Sequence, residues 1–321
     1  MATFKGFLRE LDRIQRRSAR SAEREHKISL KRQEARNARN AVEEQEEFLS
    51  FITTVHKDCS KKINWTEINS KDAPLKPEFN QSNRITAKNN FKNYIPSFFD
   101  KIFKLEKYRK RILLGKILKG KKLDSKLFEI KRNNYINRLA EWEAYQRLSK
   151  GLLDNNPAVY VECFKSFFDN ECLTNLAHEL IFKHDGGIVK IKIKSRKMND
   201  FIPQEKLSFT STGKLSTRAM PISKRNEIYQ DYICSIALRI AREIEALFPI
   251  DKFLVNIVDD IVNPSTGHLE EQILLSLMPV KDTINKINFE KIDASSCITN
   301  FKHNMKFTKT KGLEPIKEVS I

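Results

Sequence analysis

The stretch that decides the fold class joins one strongly apolar helix pattern to two strand patterns. Its first segment, NEIYQDYICSIALRIAREIEALF (226–248), has apolar residues at helical spacing across a broad face, and Pro249 follows its end. The next two segments, FLVNIVDDIV (253–262) and HLEEQILLSLMPV (268–280), are separated by NPSTG, which is typical of a hairpin turn. We therefore predict a helix followed by a β-hairpin.

The sequence around this stretch adds further elements to the same domain. Apolar residues at helical spacing predict a helix over residues 159–182. Residues 188–194 alternate isoleucine and valine with lysine, which predicts a half-buried strand at an exposed or edge position. Residues 195–223 are polar and are predicted to be irregular, and residues 295–305 are predicted to be a final helix. Residues 151–321 are therefore predicted to form an α+β domain with a small mixed sheet packed by helices.

A long basic helix precedes this domain. Residues 2–56 contain no proline and are rich in Glu, Arg, Gln, Ala and Lys, so we predict a helical first region over residues 1–56. An apolar seam at heptad spacing begins at Phe4 but stops after Ile14, and a stable coiled coil needs that seam over three or four heptads. Self-association of this helix into a homo-oligomeric coiled coil is therefore kept as an alternative.

The middle region, residues 57–150, is predicted to be helical and basic. Residues 70–96 are rich in Asn, Ser, Pro and Lys and are interpreted as a surface loop. Residues 104–132 contain twelve lysines and arginines against three acidic residues, with Tyr108 and Phe128 interleaved. Cationic clusters with aromatic residues are typical of nucleic-acid surfaces, although two amphipathic helices with solvated lysines would give the same pattern.

Charge favours an anionic partner for the whole chain. Its 321 residues include 59 Lys and Arg against 41 Asp and Glu, a net charge of +18. Such a balance indicates DNA, RNA or another acidic surface as the partner. The candidate nucleic-acid-binding residues are Arg109, Lys110, Arg111, Lys116, Lys119, Lys121 and Lys122 in the middle region, with Arg16, Arg17 and Arg20 on the first helix.

Several classes of protein are disfavoured. We find no apolar run of the length that a membrane span needs and no apolar leader segment. The five cysteines are scattered without a CxxC pair, which favours a reducing, cytoplasmic location. Residues 115–122 match GxxxxGK but place Lys122 where a P-loop needs Ser or Thr, and their flanks are helical in pattern.

The predicted hairpin contains the best candidates for catalysis. If its five-residue turn is symmetric, Asp259 opposes Glu271 and both share an apolar face. Mg²⁺ bound by these two carboxylates, with Lys190 or Lys192 on the neighbouring strand, would make a metal-dependent nuclease. Alternatively both acids lie at the solvated end of the sheet, and a shift of one residue in the pairing would move every side chain to the other face.

The chain resembles uncharacterised bacterial proteins to which no activity is attached. The resemblance lies in the basic N-terminal helix, in residues 56–65 with His56, Cys59 and Trp65, in residues 213–216 followed by the helical pattern of residues 229–248, and in residues 309–316. It covers most of the chain and implies a bacterial protein, but it carries over no functional residue. A His and Cys pair at this spacing, without a second pair nearby, is interpreted as structural.

These observations lead to one principal expectation and two alternatives. We expect a non-catalytic, nucleic-acid-associated or assembly protein that binds the phosphate backbone through basic helices and needs no cofactor. The first alternative is a nuclease on the 253–280 hairpin, for which Mg²⁺ would be required. The second is a helical scaffold that self-associates without nucleic acid.

Overall fold

The structure is a computed structural model that describes residues 4–168, 171–185, 187–262 and 266–320; the side chains of residues 4–12, 14–16, 18, 19, 171 and 172 lie outside this description. The described helices are α1 (Phe4–Thr54), α2 (Trp65–Asn69), α3 (Ser82–Lys92), α4 (Phe98–Ile102), α5 (Glu106–Leu153), α6 (Pro157–Phe167), α7 (Glu171–Thr174), α8 (Met198–Phe201), α9 (Ile222–Leu247), α10 (Lys281–Ile284) and α11 (Ala294–Cys297). The described strands are β1 (Ala177–Asp185), β2 (Ile188–Ser195), β3 (Glu205–Phe209), β4 (Leu215–Ala219), β5 (Leu254–Val262), β6 (Leu269–Met278), β7 (Lys302–Thr308) and β8 (Gly312–Glu314).

The chain divides into two compact units. The first unit combines Met1–Ile63 with Tyr160–Ile321, and the second unit is the intervening segment Asn64–Val159. The first unit therefore contains the long helix α1 together with all of the described strands, whereas the described elements that lie wholly in the second unit are helices. The predicted α+β class, with a long N-terminal helix and a small mixed sheet packed by helices, is confirmed.

A six-stranded mixed sheet forms one layer of the first unit. Its strand order is β1-β2-β5-β6-β7-β8, and a separate two-stranded sheet is formed by β3 and β4. The β2–β5 pair is parallel and the other neighbouring pairs are antiparallel. Two parallel neighbours need a crossover connection, and α9 lies in the segment that joins β2 to β5.

The core of the first unit is built around α9, the helix that the apolar pattern predicted. Most of its 26 residues are buried, including Tyr232, Ile236 and Ile240, which have no measurable exposure. One side contacts β5 and β6, and the end of α1 with the following 3₁₀ turn, Val55–Lys57, contacts the helix as well. The buried residues of α9 include charged side chains such as Arg239 and Glu243, so the helix is covered on nearly all sides, and α1 supplies part of this cover.

The β3–β4 hairpin is attached to α1. The side-chain amide of Gln45 donates to the carbonyl of Glu205 at 2.9 Å and accepts from the N–H of Leu207 at 2.9 Å. Phe48 contacts Phe201 edge to face, with ring centroids 5.4 Å apart. The prediction that residues 195–223 are irregular is therefore wrong, because α8 and this hairpin lie within them and α1 supplies their missing partners.

Two segments that were predicted as single helices are helical only in their first part and end in strands. The prediction of a helix over 159–182 holds only to Phe167 and for the short helix α7, since residues 177–185 form β1 and pair with β2. Phe182 of β1 stacks on Phe164 and on Phe248, with ring centroids 4.4 Å and 5.3 Å apart. The predicted helix over 295–305 ends early in the same way, because β7 pairs with β6. In both places pairing to a distant strand overrides the local apolar spacing.

The strand over 188–194 is confirmed, but it is not at an edge. It is β2, which lies between β1 and β5. Its burial alternates residue by residue, and the buried set is Val189, Ile191, Ile193 and Ser195. The turn before β2 contains Gly186, which lies outside the described residues, as do residues 263–265 of the predicted turn between β5 and β6.

The second unit is a set of helices packed along α5. The predicted loop over residues 70–96 contains the helix α3, so this prediction is wrong for residues 82–92. Helix α3 packs closely on α5 at Gly120, where an added Cβ would lie 2.9 Å from the carbonyl oxygen of Asn83. The near-match to a P-loop at residues 115–122 lies inside α5, so no loop is available to hold a phosphate there.

Candidate nucleic-acid interface

Helix α5 carries most of the candidate nucleic-acid-binding residues. Its 48 residues are dominated by Lys, Leu, Arg and Glu, which favour a long helix. The buried carboxylate of Asp124 fixes α3 against it, accepting from the backbone N–H of Arg84 at 2.9 Å and of Asn83 at 3.2 Å. Burial by itself would raise the pKa of Asp124, but these hydrogen bonds outweigh burial and hold the pKa below its usual range.

Lys119, Lys122 and Lys126 form what we call the outer face of α5. They are spaced three and four residues apart and therefore share one side of the helix. All three are exposed, and none contacts an acidic side chain among the described residues. Lys126 is not among the binding residues predicted from the sequence, although its spacing of four residues from Lys122 is a signal that places it on the same side of the helix.

The other predicted residues on α5 divide into two groups. Arg109 and Lys110 contact acidic side chains, with Arg109 Nε 3.3 Å from Asp100 Oδ1 and Lys110 Nζ 2.5 Å from Glu106 Oε1. Arg111, Lys116 and Lys121 are exposed without an acidic partner in the described part of the chain. The second group is thus available to an anionic ligand, and the first is partly neutralised.

A groove between α5 and the loop that joins α2 to α3 combines cationic, aromatic and amide side chains. Its volume is about 520 Å³, and Lys131, Tyr135 and Arg138 line it together with Pro74 and Leu75. The three α5 residues are spaced four and three apart, so they follow one side of the helix. This arrangement offers positive charge for a phosphate beside an aromatic ring on which a base can stack.

The predicted binding residues on α1 give less support to a nucleic-acid interface than those on α5. Arg17 and Arg20 are exposed, and the side chain of Arg16 lies outside the described residues. From residue 20 to residue 34 every residue is exposed, including Ile28 and Leu30. This part of α1 is therefore exposed all round and mostly polar, which is typical of a solvated helix or of one that binds a partner.

The hairpin places the two candidate catalytic acids on different faces of the sheet. Asp259 opposes Gln272, and Glu271 opposes Asp260, so the predicted pairing of Asp259 with Glu271 is wrong by one residue. The shift is present from the turn onward, where Val262 opposes Leu269 and not His268, and a further irregularity follows between Ile257 and Val258. Because successive side chains point to opposite faces, Asp259 and Glu271 do not converge.

Asp259 takes part in a buried polar network under the sheet. Its carboxylate accepts from the hydroxyl of Tyr229 at 3.3 Å and from the backbone N–H of Asp260 at 2.8 Å. The Tyr229 hydroxyl also lies 3.2 Å from Ser195 Oγ. Burial raises the pKa of Asp259 above its usual range, and burial likewise raises the pKa of Tyr229.

Glu271 belongs to a row of ion pairs on the opposite, more exposed face. Lys192 Nζ lies 2.6 Å from Glu271 Oε1, and Lys194 Nζ lies 2.7 Å from Asp260 Oδ2. Lys190 Nζ completes the row at 3.3 Å from Glu318 Oε1. The lysines that the nuclease alternative needs are thus paired with acids, and neither approaches Asp259. Among the described residues, no group of three or more His, Cys, Asp and Glu side chains is placed to hold a metal ion.

His56 has a structural environment. Its Nδ1 lies 2.9 Å from Ser235 Oγ, and the His56 backbone N–H donates to the same oxygen at 3.1 Å. Burial lowers the pKa of His56, helped by the positive charges of Lys57 and Arg242. The imidazole is almost fully buried against α9, so no ligand reaches it.

Comparison with protein-family models, curated proteins and solved structures gives no match to this chain. The resemblance to uncharacterised bacterial proteins therefore stays a prediction. Among the described residues, no helix combines the length and the apolar composition that crossing a bilayer requires.

Proposed function

We propose that the second unit binds the phosphate backbone of DNA or RNA through α5, without catalysing a reaction on it. The observation that carries this proposal is the outer face of α5, where Lys119, Lys122 and Lys126 are exposed and have no acidic partner among the described residues. These three lysines extend about 10 Å along the helix at 1.5 Å per residue, enough to follow several phosphates.

The charge of the second unit as a whole supports the same function. Residues 64–159 contain 21 lysines and arginines against 10 acidic residues. Nucleic acid, with one charge about every 1.7 Å along a duplex, is the ligand that gains most from such an excess. Since the contacts available on α5 are to phosphate, we expect weak dependence on base sequence.

The decisive measurement is the salt dependence of binding to labelled single-stranded and duplex oligonucleotides. Replacing the outer face, Lys119→Gln, Lys122→Gln and Lys126→Gln together, should reduce the slope of log affinity against log salt by about 2 to 3, because each lost phosphate contact contributes about 0.7 to 0.9. The matched control is Lys286→Gln, Lys291→Gln and Lys317→Gln, which removes the same charge from exposed sites of the first unit.

Equal losses in the two triple variants would show that net charge alone attracts the nucleic acid, and this would contradict the proposal. Absence of binding by the unchanged protein at low salt would contradict it as well.

The groove that contains Tyr135 allows a second experiment. Tyr135→Ala should weaken binding of single strands by roughly 5- to 100-fold and leave duplex binding unchanged if Tyr135 stacks on a base.

A further inference from the structure

Residues 94–105, which we call the α4 tip, are arranged with their apolar side chains outside. Ile95 is 84% exposed, Phe98 is 72% exposed and Phe99 is 67% exposed, and Ile102 and Phe103 are more than half exposed. The charged residue Asp100, by contrast, is only 5% exposed. A cluster of five large exposed apolar residues within nine positions is far from the single exposed apolar residues that soluble surfaces normally show, and such clusters mark interaction sites.

The buried carboxylate explains how the tip keeps this arrangement. Asp100 accepts from the Tyr94 hydroxyl at 2.9 Å and from the backbone N–H of Ser97 at 3.1 Å, and Arg109 Nε lies 3.3 Å away. Ser97 Oγ accepts in return from the Asp100 N–H, which completes a capping box for α4. The backbone hydrogen bond from Ser97, followed by that of Tyr94, lowers the pKa of Asp100. The polar groups of the tip are thus satisfied internally, so the apolar groups stay exposed in a preformed turn.

Positive charge accompanies the exposed apolar side chains. Lys101 and Lys104 lie within the tip, and Lys107 and Arg111 follow on the first two turns of α5. All four are exposed without an acidic partner among the described residues, whereas the nearby acids Asp100 and Glu106 are already paired with Arg109 and Lys110. A partner for this surface must therefore offer apolar depth and negative charge at the same place.

We propose that the α4 tip docks on an anionic lipid surface, with Phe98, Phe99, Ile102 and Phe103 entering the interfacial layer and the basic residues contacting lipid phosphates. A bilayer with anionic headgroups meets both requirements, because its negative charge lies at the surface and its acyl chains lie directly beneath that surface. Nucleic acid offers charge without apolar depth for isoleucine and phenylalanine. This docking is additional to the nucleic-acid function and uses different side chains from the outer face of α5.

Flotation of the full chain with lipid vesicles tests the proposal. We expect binding to vesicles that contain phosphatidylglycerol and weak binding to vesicles of phosphatidylcholine alone. Phe98→Ser with Phe99→Ser should reduce binding to the anionic vesicles by roughly 100-fold, because much of two phenylalanine side chains leaves water on insertion. Lys101→Gln with Lys104→Gln should reduce it by roughly 30-fold, since each basic residue near such a surface contributes about 1 kcal/mol.

Matched controls separate insertion from adsorption. Ile28→Ser with Leu30→Ser removes two exposed apolar side chains from α1 and should leave flotation unchanged. Phe99→Trp should show a blue shift of its emission and quenching by brominated acyl chains when anionic vesicles are added. Oligonucleotide binding by the Phe98→Ser, Phe99→Ser protein should stay at the level of the unchanged protein, so failure of this proposal and failure of the nucleic-acid proposal can be told apart.

Three results would overturn the docking proposal. The first is absence of flotation by the unchanged protein. The second is equal flotation of the unchanged protein and the Phe98→Ser, Phe99→Ser protein, which would mean simple charge adsorption. The third is a dimer in solution without vesicles that the same double variant dissociates, since a second copy of the chain would then cover the tip.

Discussion

In the first unit, three lysines on β2 each contact an acidic side chain, whereas in the second unit the three lysines on the outer face of α5 contact none among the described residues. Apolar residues differ in the same way. Those of α9 are buried on almost all sides, and those of the α4 tip face outward around a buried carboxylate. The difference teaches that β2 and α9 use their charged and apolar side chains within the fold, whereas the outer face of α5 and the α4 tip leave theirs exposed to a partner.

The largest expected effect is on the free energy of unfolding, measured after truncation of one apolar side chain in each unit. Ile236→Ala on α9 should lower the free energy of unfolding by about 2–5 kcal/mol, because the fully buried side chain leaves a cavity. Leu118→Ala on α5 should change it by about 0.5 kcal/mol or less, since Leu118 is 65% exposed. Urea unfolding, with hydrogen exchange to assign the change to helices, measures both. Similar costs at the two positions would break the comparison.

A second prediction uses pH, because the second unit contains no histidine. The folded-state pKa of His56 is lowered by burial, so the unfolded chain takes up a proton first as pH falls below about 6.5. The stability of the first unit should therefore decline from there downward, by at most about 1.4 kcal/mol per pH unit for this one proton. Protection of α3 and α5 against hydrogen exchange should stay constant from pH 6.5 to about pH 5, above the range in which loss of the ionised Asp100 and Asp124 would weaken the second unit.

His56→Asn isolates this contribution, because its amide occupies the position of Nδ1 beside Ser235 but does not titrate. The variant should show a shallower decline below pH 6.5. His26→Gln, at an exposed position of α1, is the control and should leave the decline unchanged. An unchanged decline in His56→Asn would assign the pH dependence to other groups.

The smallest expected effect concerns the buried charge in the first unit. Burial raises the pKa of Asp259, so its ionised form opposes folding at every pH above about 3.8. Asp259→Asn keeps an acceptor for the backbone N–H of Asp260 and removes the charge. We expect equal or slightly higher stability at pH 7, by about 1 kcal/mol or less. A marked loss of stability in thermal unfolding would show that the carboxylate charge itself holds the network together.

The elements that could be predicted from the sequence are those with a clear apolar pattern within their own segment. The helix α9 and the strands β2, β5 and β6 follow from apolar spacing within their own segments. Strands β1 and β7 were missed because their apolar residues also fit a helix, and only pairing with β2 and β6 decides between the two. The order of strands and the membership of α1 in the first unit depend on contacts between distant segments, which no local pattern contains.

For the candidate site, too, the sequence predicted the local features and missed those that depend on contacts between distant residues. The basic stretch of α5 was visible from composition, but which lysines have acidic partners depends on rotamers and neighbours. The predicted facing of Asp259 and Glu271 is wrong because the two strands pair one residue out of the expected register from the turn onward, with Val262 opposite Leu269 and not His268. The sequence SFFD at residues 97–100 contained the signal of a capping box, but it did not show that the aspartate would be buried and the phenylalanines exposed.

The split of the first unit in sequence has a consequence for synthesis on the ribosome. The contact between His56 and Ser235 joins residues 179 positions apart, and the intervening chain includes the entire second unit. The second unit is one continuous segment, so it can fold as soon as it has emerged. Helix α1 is synthesised before α9, so apolar residues near its C-terminal end, such as Ile52, which is fully buried in the folded unit, stay exposed to chaperones and to wrong partners until α9 has emerged. Helix α1 is therefore synthesised first but is among the last elements to pack into the folded protein.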